Sequence, residues 1–290
     1  MAAVLLACLS AALFGALTVA VRLALERDES AVLGAFCVTT TAMGVSVAAA
    51  LVEAPFRGEI GAGDLWPFVL AGLIAPGLSQ LSFTYAVKYA GPSRTSVVLG
   101  VAPLVSVTIA LALLGEPFRL ALAAGALLIV VGGLALVGER LRPEQFRAAG
   151  IGLALISTVC FSTRDNLVRW LAGTTKAAPL AAAAVSLAGG VLLLAVYTLS
   201  TPDRKPAGSL LHAFRVFAPS GLLFGLSYLL LFEAYYRGRV TIVAPLVSTE
   251  SLWGVVLSAL LVGRSELIGR RLVGGALLVV AGGALIGATR

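Results

Sequence analysis

Charged side chains are what this sequence has least of. Of its 290 residues, 21 are Lys or Arg and 14 are Asp or Glu, 12% in all, against 59% hydrophobic. That is roughly half the charged share of a soluble domain and too little to cover a water-facing surface. The same apolar content excludes a disordered chain. Histidine is nearly missing: His212 stands alone, placed by the sequence in a loop. The three cysteines, Cys8, Cys37 and Cys160, all lie inside apolar runs and form no CxxC pair. No metal or haem site is expected, and no cofactor. The 32 glycines follow no strict period, which excludes a collagen-like chain. Short segments of alternating hydrophobicity, the mark of a membrane barrel, are absent. So is a GxxxxGK[ST] phosphate loop, which excludes ATP drive within this chain. The basic residues stand singly between apolar runs, so the pI of about 9.8 points to loop charge at a membrane and not to nucleic acid.

What is present is a series of long apolar stretches. They run near 1–21, 30–52, 65–87, 95–115, 120–138, 148–163, 177–202, 216–232, 240–263 and 272–289. Each approaches the ~20 residues that cross ~30 Å of hydrocarbon as a helix. In lipid the backbone must satisfy its own hydrogen bonds, which leaves helices. The expectation is an all-α, multi-pass membrane protein with ten transmembrane helices, in the cell membrane of a bacterium. The opening MAAVLLACLSAALFGALTVAV has no basic start and is too long for a signal-peptide core, so it reads as the first span. The sixth span continues to about 171 and carries Arg164 and Asp165 inside it. Loops after the odd-numbered spans hold thirteen Lys or Arg and the opposite side seven. The positive-inside rule then puts both termini outside.

Comparing the chain with itself is more informative than its composition. EPFRLALAAGALLIVVGG at 116–133 recurs as ELIGRRLVGGALLVVAGG at 266–283, an offset of 150 that matches Glu116, Gly125, Gly132 and Gly133 to Glu266, Gly275, Gly282 and Gly283. Ser10, Phe14, Val21 and Arg22 recur at an offset of 147 as Ser157, Phe161, Val168 and Arg169, and Phe83 pairs with Phe232 at 149. The chain therefore divides into halves, 1–143 and 144–290, of five spans each. Five is odd, so the second half must enter the membrane upside down. Such inverted repeats build alternating access around a midplane site in many secondary carriers. VAPLVS also occurs twice, at 101–106 and 243–248, but its offset of 142 does not fit the repeat.

With these features the sequence resembles the EamA-type members of the drug/metabolite transporter superfamily. Their repeats end in a Gly-Glu turn followed by a Gly-rich last helix. The first half has Gly115-Glu116 and then GALLIVVGG; the second keeps Glu266 but has Ser265 in place of Gly. The family's mid-helix proline matches Pro103, and Ser251 holds the corresponding place in the second half. The resemblance implies ten helices in two repeats, transport of a small metabolite (amino acids, drugs and sugars are among the family's proposed substrates), and both termini in the cytoplasm, against the charge count.

Ionisable groups inside spans are costly and mark candidate sites. Four stand out: Arg164, Asp165, Glu233 and Glu250, the last about eleven residues from either end of its span. Ser157, Phe161, Arg164 and Asp165 fall on one helical stripe, which either faces a cavity or holds an ion pair that locks helices together. Glu233, followed by Tyr235, Tyr236 and Arg237, also fits a membrane interface. In the third span Pro76 and Gly77 should break the helix near its middle, and Ser79, Gln80 and Tyr85 follow on its polar side. Pro103 and Pro245 are expected to kink the fourth and ninth spans. Trp253 is a cavity aromatic or ordinary packing. The fifth and tenth spans, nearly pure Gly, Ala, Leu and Val, read as scaffold.

The function expected is secondary transport of a small polar or amphipathic metabolite, such as an amino acid, with the bilayer, the substrate and protons as partners. Export is the expected direction. Glu250 would be the coupling carboxylate, opposed by Arg164. The competing classes are a flippase of lipids or lipid-linked substrates and a membrane assembly subunit. An enzyme is not expected: a membrane protease would need a Ser/His pair, an aspartate pair or HExxH, and none is there.

Overall fold

The computed structural model describes residues 2–28, 30–56, 61–113, 120–137, 146–200, 207–262 and 269–287. The Gly115-Glu116 and Ser265-Glu266 turns lie outside them. The described residues are mostly helical, with no strand among them. In order the helices are α1 (Ala2–Leu25), α2 (Ala31–Glu53), α3 (Ala62–Gly72), α4 (Ser79–Ala90), α5 (Pro92–Leu99), α6 (Ala102–Leu113), α7 (Leu120–Val137), α8 (Ala149–Thr174), α9 (Pro179–Ser200), α10 (Ala207–Arg237), α11 (Val240–Val247), α12 (Glu250–Leu261) and α13 (Arg270–Gly287). Seven continuous stretches of the described chain are long and apolar enough to cross a membrane: Ala2–Leu25, Ala31–Glu53, Gly63–Ala90, Pro92–Leu113, Pro179–Ser200, Ser209–Arg237 and Val240–Leu261. His212 falls inside α10 and not in a loop; that helix begins well before the apolar run that marked it, because a helix does not end where hydrophobicity ends.

Three of these stretches are interrupted, each for a local reason. Between α3 and α4 the chain makes a wide turn over Leu73–Leu78, in which Ala75 is extended (φ −145°, ψ 118°). Proline excludes the helical region for the residue before it, so Ala75-Pro76 breaks the span where the sequence placed the break. The turn nests against α9, where a Cβ on Gly190 would lie 2.5 Å from the Pro76 ring. The fourth and ninth spans are interrupted at Gly100-Val101 and at Ser248-Thr249. Neither interruption is at the proline expected to cause it. Pro103 sits in the first turn of α6, where a missing N–H costs nothing, and Pro245 lies inside α11, before its break. At both breaks the chain tightens to shorter-range bonds, Val101 N–H to Val98 O at 3.1 Å and Ser251 N–H to Ser248 O at 3.1 Å. Freed carbonyls at the second break take hydroxyls: Ser248 Oγ bonds Pro245 O at 2.6 Å and Ser251 Oγ bonds Ser248 O at 2.9 Å. The two VAPLVS copies therefore stand on opposite sides of their breaks, in agreement with an offset that did not fit.

Contacts between helices repeat at the sequence offset. Ser10 Oγ on α1 donates to Ser227 O on α10 at 2.9 Å; Ser157 Oγ on α8 donates to Ser79 O on α4 at 3.0 Å. These are one contact made twice, since 10 maps to 157 and 79 to 227. On the other side of the molecule α7 packs chiefly on α13. A Cβ on Gly132 would meet Gly275 O at 2.6 Å, and one on Gly282 would meet Gly125 O at 2.5 Å. The two helices are therefore antiparallel and in backbone contact. Exchanging each glycine for its partner at offset 150 turns one contact into the other. Small residues let helices approach this closely where no hydrophobic force drives them together.

Candidate functional site

The polar residues of α8 divide between two faces. Along one face Thr158, Ser162 and Asn166 donate to Val98 O at 3.4 Å, Ala102 O at 3.2 Å and Ser106 O at 3.1 Å, a ladder that ties α8 to α5 and α6 across the break in the fourth span. The other face carries Ser157, Phe161, Arg164 and Asp165. Ser157 serves the α4 contact already described; Phe161 and the charged pair face α10.

Arg164 and Asp165 are 2% and 6% exposed. Arg164 Nε stands 2.8 Å from Asp165 Oδ1. The two belong to neighbouring residues of one helix, so their ion pair alone locks no helices together. The link to a second helix is Tyr235, whose hydroxyl donates to Asp165 Oδ2 at 2.7 Å. The guanidinium lies over aromatic faces: 4.7 Å from the Tyr228 ring centroid, 5.5 Å from Phe161 and 5.9 Å from Phe232. Such stacking stabilises a desolvated cation by about 2 kcal/mol. Arg164 Nη1 has no hydrogen-bond partner among the described residues. A buried donor left unsatisfied costs about 1–3 kcal/mol.

Tyr228 joins three elements. Its hydroxyl is 2.8 Å from Ser186 Oγ on α9 and donates at 3.2 Å to Ala75 O, the carbonyl beside the break in the third span. Its ring meets Phe224 and Phe232 at 5.4 and 4.8 Å. From Phe224 the aromatic chain continues to Phe14 on α1, which touches Phe161 edge-on at 5.5 Å and Phe83 on α4 at 5.6 Å. The aromatic cluster thus draws its rings from α1, α4, α8 and α10.

Glu250 opens α12 and is 6% exposed. Arg164 is paired with Asp165 and not with Glu250. Among the described residues the Glu250 side chain makes no hydrogen bond or ion pair. A glycine on α1 admits the start of α12: a Cβ on Gly15 would stand 3.0 Å from Glu250 O and 2.5 Å from Trp253 Cβ.

The remaining sequence candidates fall elsewhere. Glu233 accepts from Arg237 Nε at 2.8 Å one turn away, an ion pair within one helix. The Trp253 side chain is 45% exposed. Tyr85 packs beside Tyr89, with centroids 5.7 Å apart, and against the cluster of Ala35, Leu81 and Leu194. Gln80 and Ser79 are fully buried. Pro76 and Gly77 form the turn that presents Ala75 O. Sequence reasoning did not find Tyr228, nor Tyr235 as the partner of Asp165. The signal was present: Phe224, Tyr228, Phe232 and Tyr235 recur at helical spacing on α10 and form one aromatic face.

A polytopic helical bundle with a buried ion pair, a buried carboxylate unpaired among the described residues and broken helices has the form of a membrane transporter. The chain belongs to the EamA-like transporter family, whose sequence pattern matches it twice, over residues 1–138 and 148–288. The two matches together span nearly the whole chain, and the family is one of two-repeat carriers. Among solved structures a crystal structure, described only as that of a protein, has the same fold, with 24% sequence identity, a TM-score of 0.70, and coverage of 98% of this chain and 95% of its own. No curated protein matches the chain.

Proposed function

We propose that the protein is a secondary carrier of ten traverses in two inverted five-helix repeats, 1–143 and 144–290, which exports a small amphipathic metabolite such as an amino acid by alternating access. The traverses beyond the seven apolar stretches are α7, α8 and α13. The reading places the protein in a bacterial inner membrane. Inversion is supported by the antiparallel α7–α13 pair: helices equivalent under inverted repeats run in opposite directions, whereas parallel repeats would align them.

The observation that carries the transport reading is the division of roles among three buried charges. Asp165 neutralises Arg164 and is held by Tyr235, so the pair is electrically complete. Arg164 keeps Nη1 for an anionic group of the substrate. Glu250, without a partner among the described residues, takes a proton or a substrate amine. The aromatic faces of Phe161, Tyr228 and Phe232 receive the apolar part. A carboxylate at the centre of a span costs about 2.5–3.5 kcal/mol when charged, which favours exchange of its proton for a cationic group. An assembly subunit has no use for such a group. A flippase would need the site to reach the lipid headgroups.

The test is counterflow of a radiolabelled amino-acid panel in proteoliposomes with an imposed pH gradient. Wild type should accumulate at least one member of the panel and move protons with it. Glu250→Gln should stay folded, keep exchange and lose the response to the gradient. Wild-type, pH-dependent flux in Glu250→Gln would remove Glu250 from coupling, and lipid scrambling without solute flux would favour the flippase.

A further inference from the structure

Among the described residues Gln80 carries a buried side-chain amide of which neither polar atom is met. It is 0% exposed, and both its amide nitrogen and its amide oxygen lack hydrogen-bond partners among the described residues. The hydroxyl of its neighbour Ser79 is unpartnered as well. A buried primary amide offers two donors and two acceptor sites, and each atom left unmet costs about 1–3 kcal/mol. A leucine or methionine here would fold without that cost. The hydrogen bonds that fix the register of the two halves make Gln80 the counterpart of Tyr228. Ser79 and Ser227 accept matching bonds from Ser157 and Ser10, and the next residue on each helix is Gln80 or Tyr228. Tyr228 meets the charged site through its ring, over which Arg164 lies, while its hydroxyl is bonded to Ser186 and Ala75 O. The residue matching Arg164 in the first half is Leu17, which is fully buried. The first half thus keeps a polar group at the position that faces the site but lacks the charge that Tyr228 stacks on.

We infer that Gln80, with Ser79, is a second, uncharged contact for the transported molecule, used when the carrier opens on the face opposite the Arg164–Glu250 cluster. This rests on the inverted-repeat carrier proposed above. An axis lying in the membrane plane places counterparts on opposite sides of the midplane, so Gln80 and Tyr228 serve opposite openings. The chemistry recognised at Gln80 is a neutral group that both donates and accepts, a carboxamide, a hydroxyl or water accompanying the solute. Charged groups are recognised at Arg164.

Two measurements test this. The first is thermal unfolding of purified Gln80→Leu and Gln80→Met in detergent. Both should unfold at or above the wild-type midpoint, since an unmet amide is removed. A midpoint several degrees lower in both would mean that the amide holds the fold together, and would overturn the inference. The second is thiol labelling in a background of Cys8→Ala, Cys37→Ala and Cys160→Ala, using a membrane-impermeant methanethiosulfonate in right-side-out and inverted vesicles. Gln80→Cys should react from one face and Ser186→Cys, beside Tyr228, from the other. Labelling of Ser186→Cys with Gln80→Cys inert from both faces, or reactive from the same face, overturns this inference and leaves the Arg164 site standing. Absence of labelling at both positions, together with absence of solute flux, overturns the carrier reading itself.

Discussion

At matched positions the first half of the chain carries Leu17, Thr18, Gln80 and Ala102 where the second carries Arg164, Asp165, Tyr228 and Glu250. Around these positions the halves agree closely. Ser10 and Ser157 make the same hydrogen bond, the fourth and ninth spans break at Gly100-Val101 and Ser248-Thr249, and the glycines of α7 and α13 interlock reciprocally. Duplication preserved what a bundle needs, namely close approach and satisfied carbonyls. At these positions charge is confined to one half, and a symmetric skeleton therefore holds an asymmetric site. The faces that flank the broken fourth and ninth spans differ in the same sense. Ala11, Gly15 and Val19 on α1 match Thr158, Ser162 and Asn166 on α8. The first set packs by smallness and the second by hydrogen bonds.

The comparison can be broken most severely at Arg164. Arg164→Ala strands Asp165 as an unpaired buried charge, and breaking such a pair costs about 3–5 kcal/mol. The variant should be recovered in low yield and unfold early in a detergent melting assay. Grafting the first half's residues, Arg164→Leu with Asp165→Thr, removes both charges together. It should restore folded yield to near wild type and abolish solute flux. If the graft still transports, the charged pair belongs to the skeleton and not to the site.

Tyr235→Phe sharpens the role of the helix-to-helix link. It removes a hydrogen bond to a charged group, worth about 1.5–3 kcal/mol, and should lower the melting temperature while leaving Asp165 paired with Arg164. The matching position in the first half has no such bond, so no counterpart effect is expected there.

The skeleton, by contrast, should respond equally in both halves. Gly132→Ala and Gly282→Ala each drive a methyl into a backbone carbonyl of the facing helix. Each should cost about 1–3 kcal/mol by overpacking, within error of one another. The smallest effects are expected from Ser10→Ala and Ser157→Ala, about 0.6 kcal/mol each, the typical worth of one interhelical hydrogen bond in a membrane. Unequal losses in either pair, measured by melting temperature, would show that the halves differ in their frame as well as their charge.

Much of the frame was legible in the sequence because membranes simplify the code. Apolar runs give helices, Ala75-Pro76 gives a break, and the Gly–x6–Gly spacing at 125–132 and 275–282 gives a close-packed surface. Pro103 and Pro245 mark the broken spans but not the residues at which they part: the fourth breaks at Gly100-Val101, before Pro103, and the ninth at Ser248-Thr249, after Pro245, where hydroxyls and tight turns satisfy the carbonyls. At the site, Arg164, Asp165 and Glu250 were visible as charges out of place. Their partners were not. Tyr228 and Tyr235 look like ordinary aromatics until α10 is laid beside α8.

The sequence by itself determined that the chain is helical, belongs in a membrane and was built from a repeated unit, because those properties follow from local hydrophobicity and from self-similarity along one dimension. Only the tertiary structure decided that Asp165, and not Glu250, neutralises Arg164, that Tyr235 holds that pair across helices, and that Glu250 and the Gln80 amide are unpaired among the described residues. Pairing depends on which side chains of different helices meet at a few ångströms, and that distance is set by the packing of all the helices together.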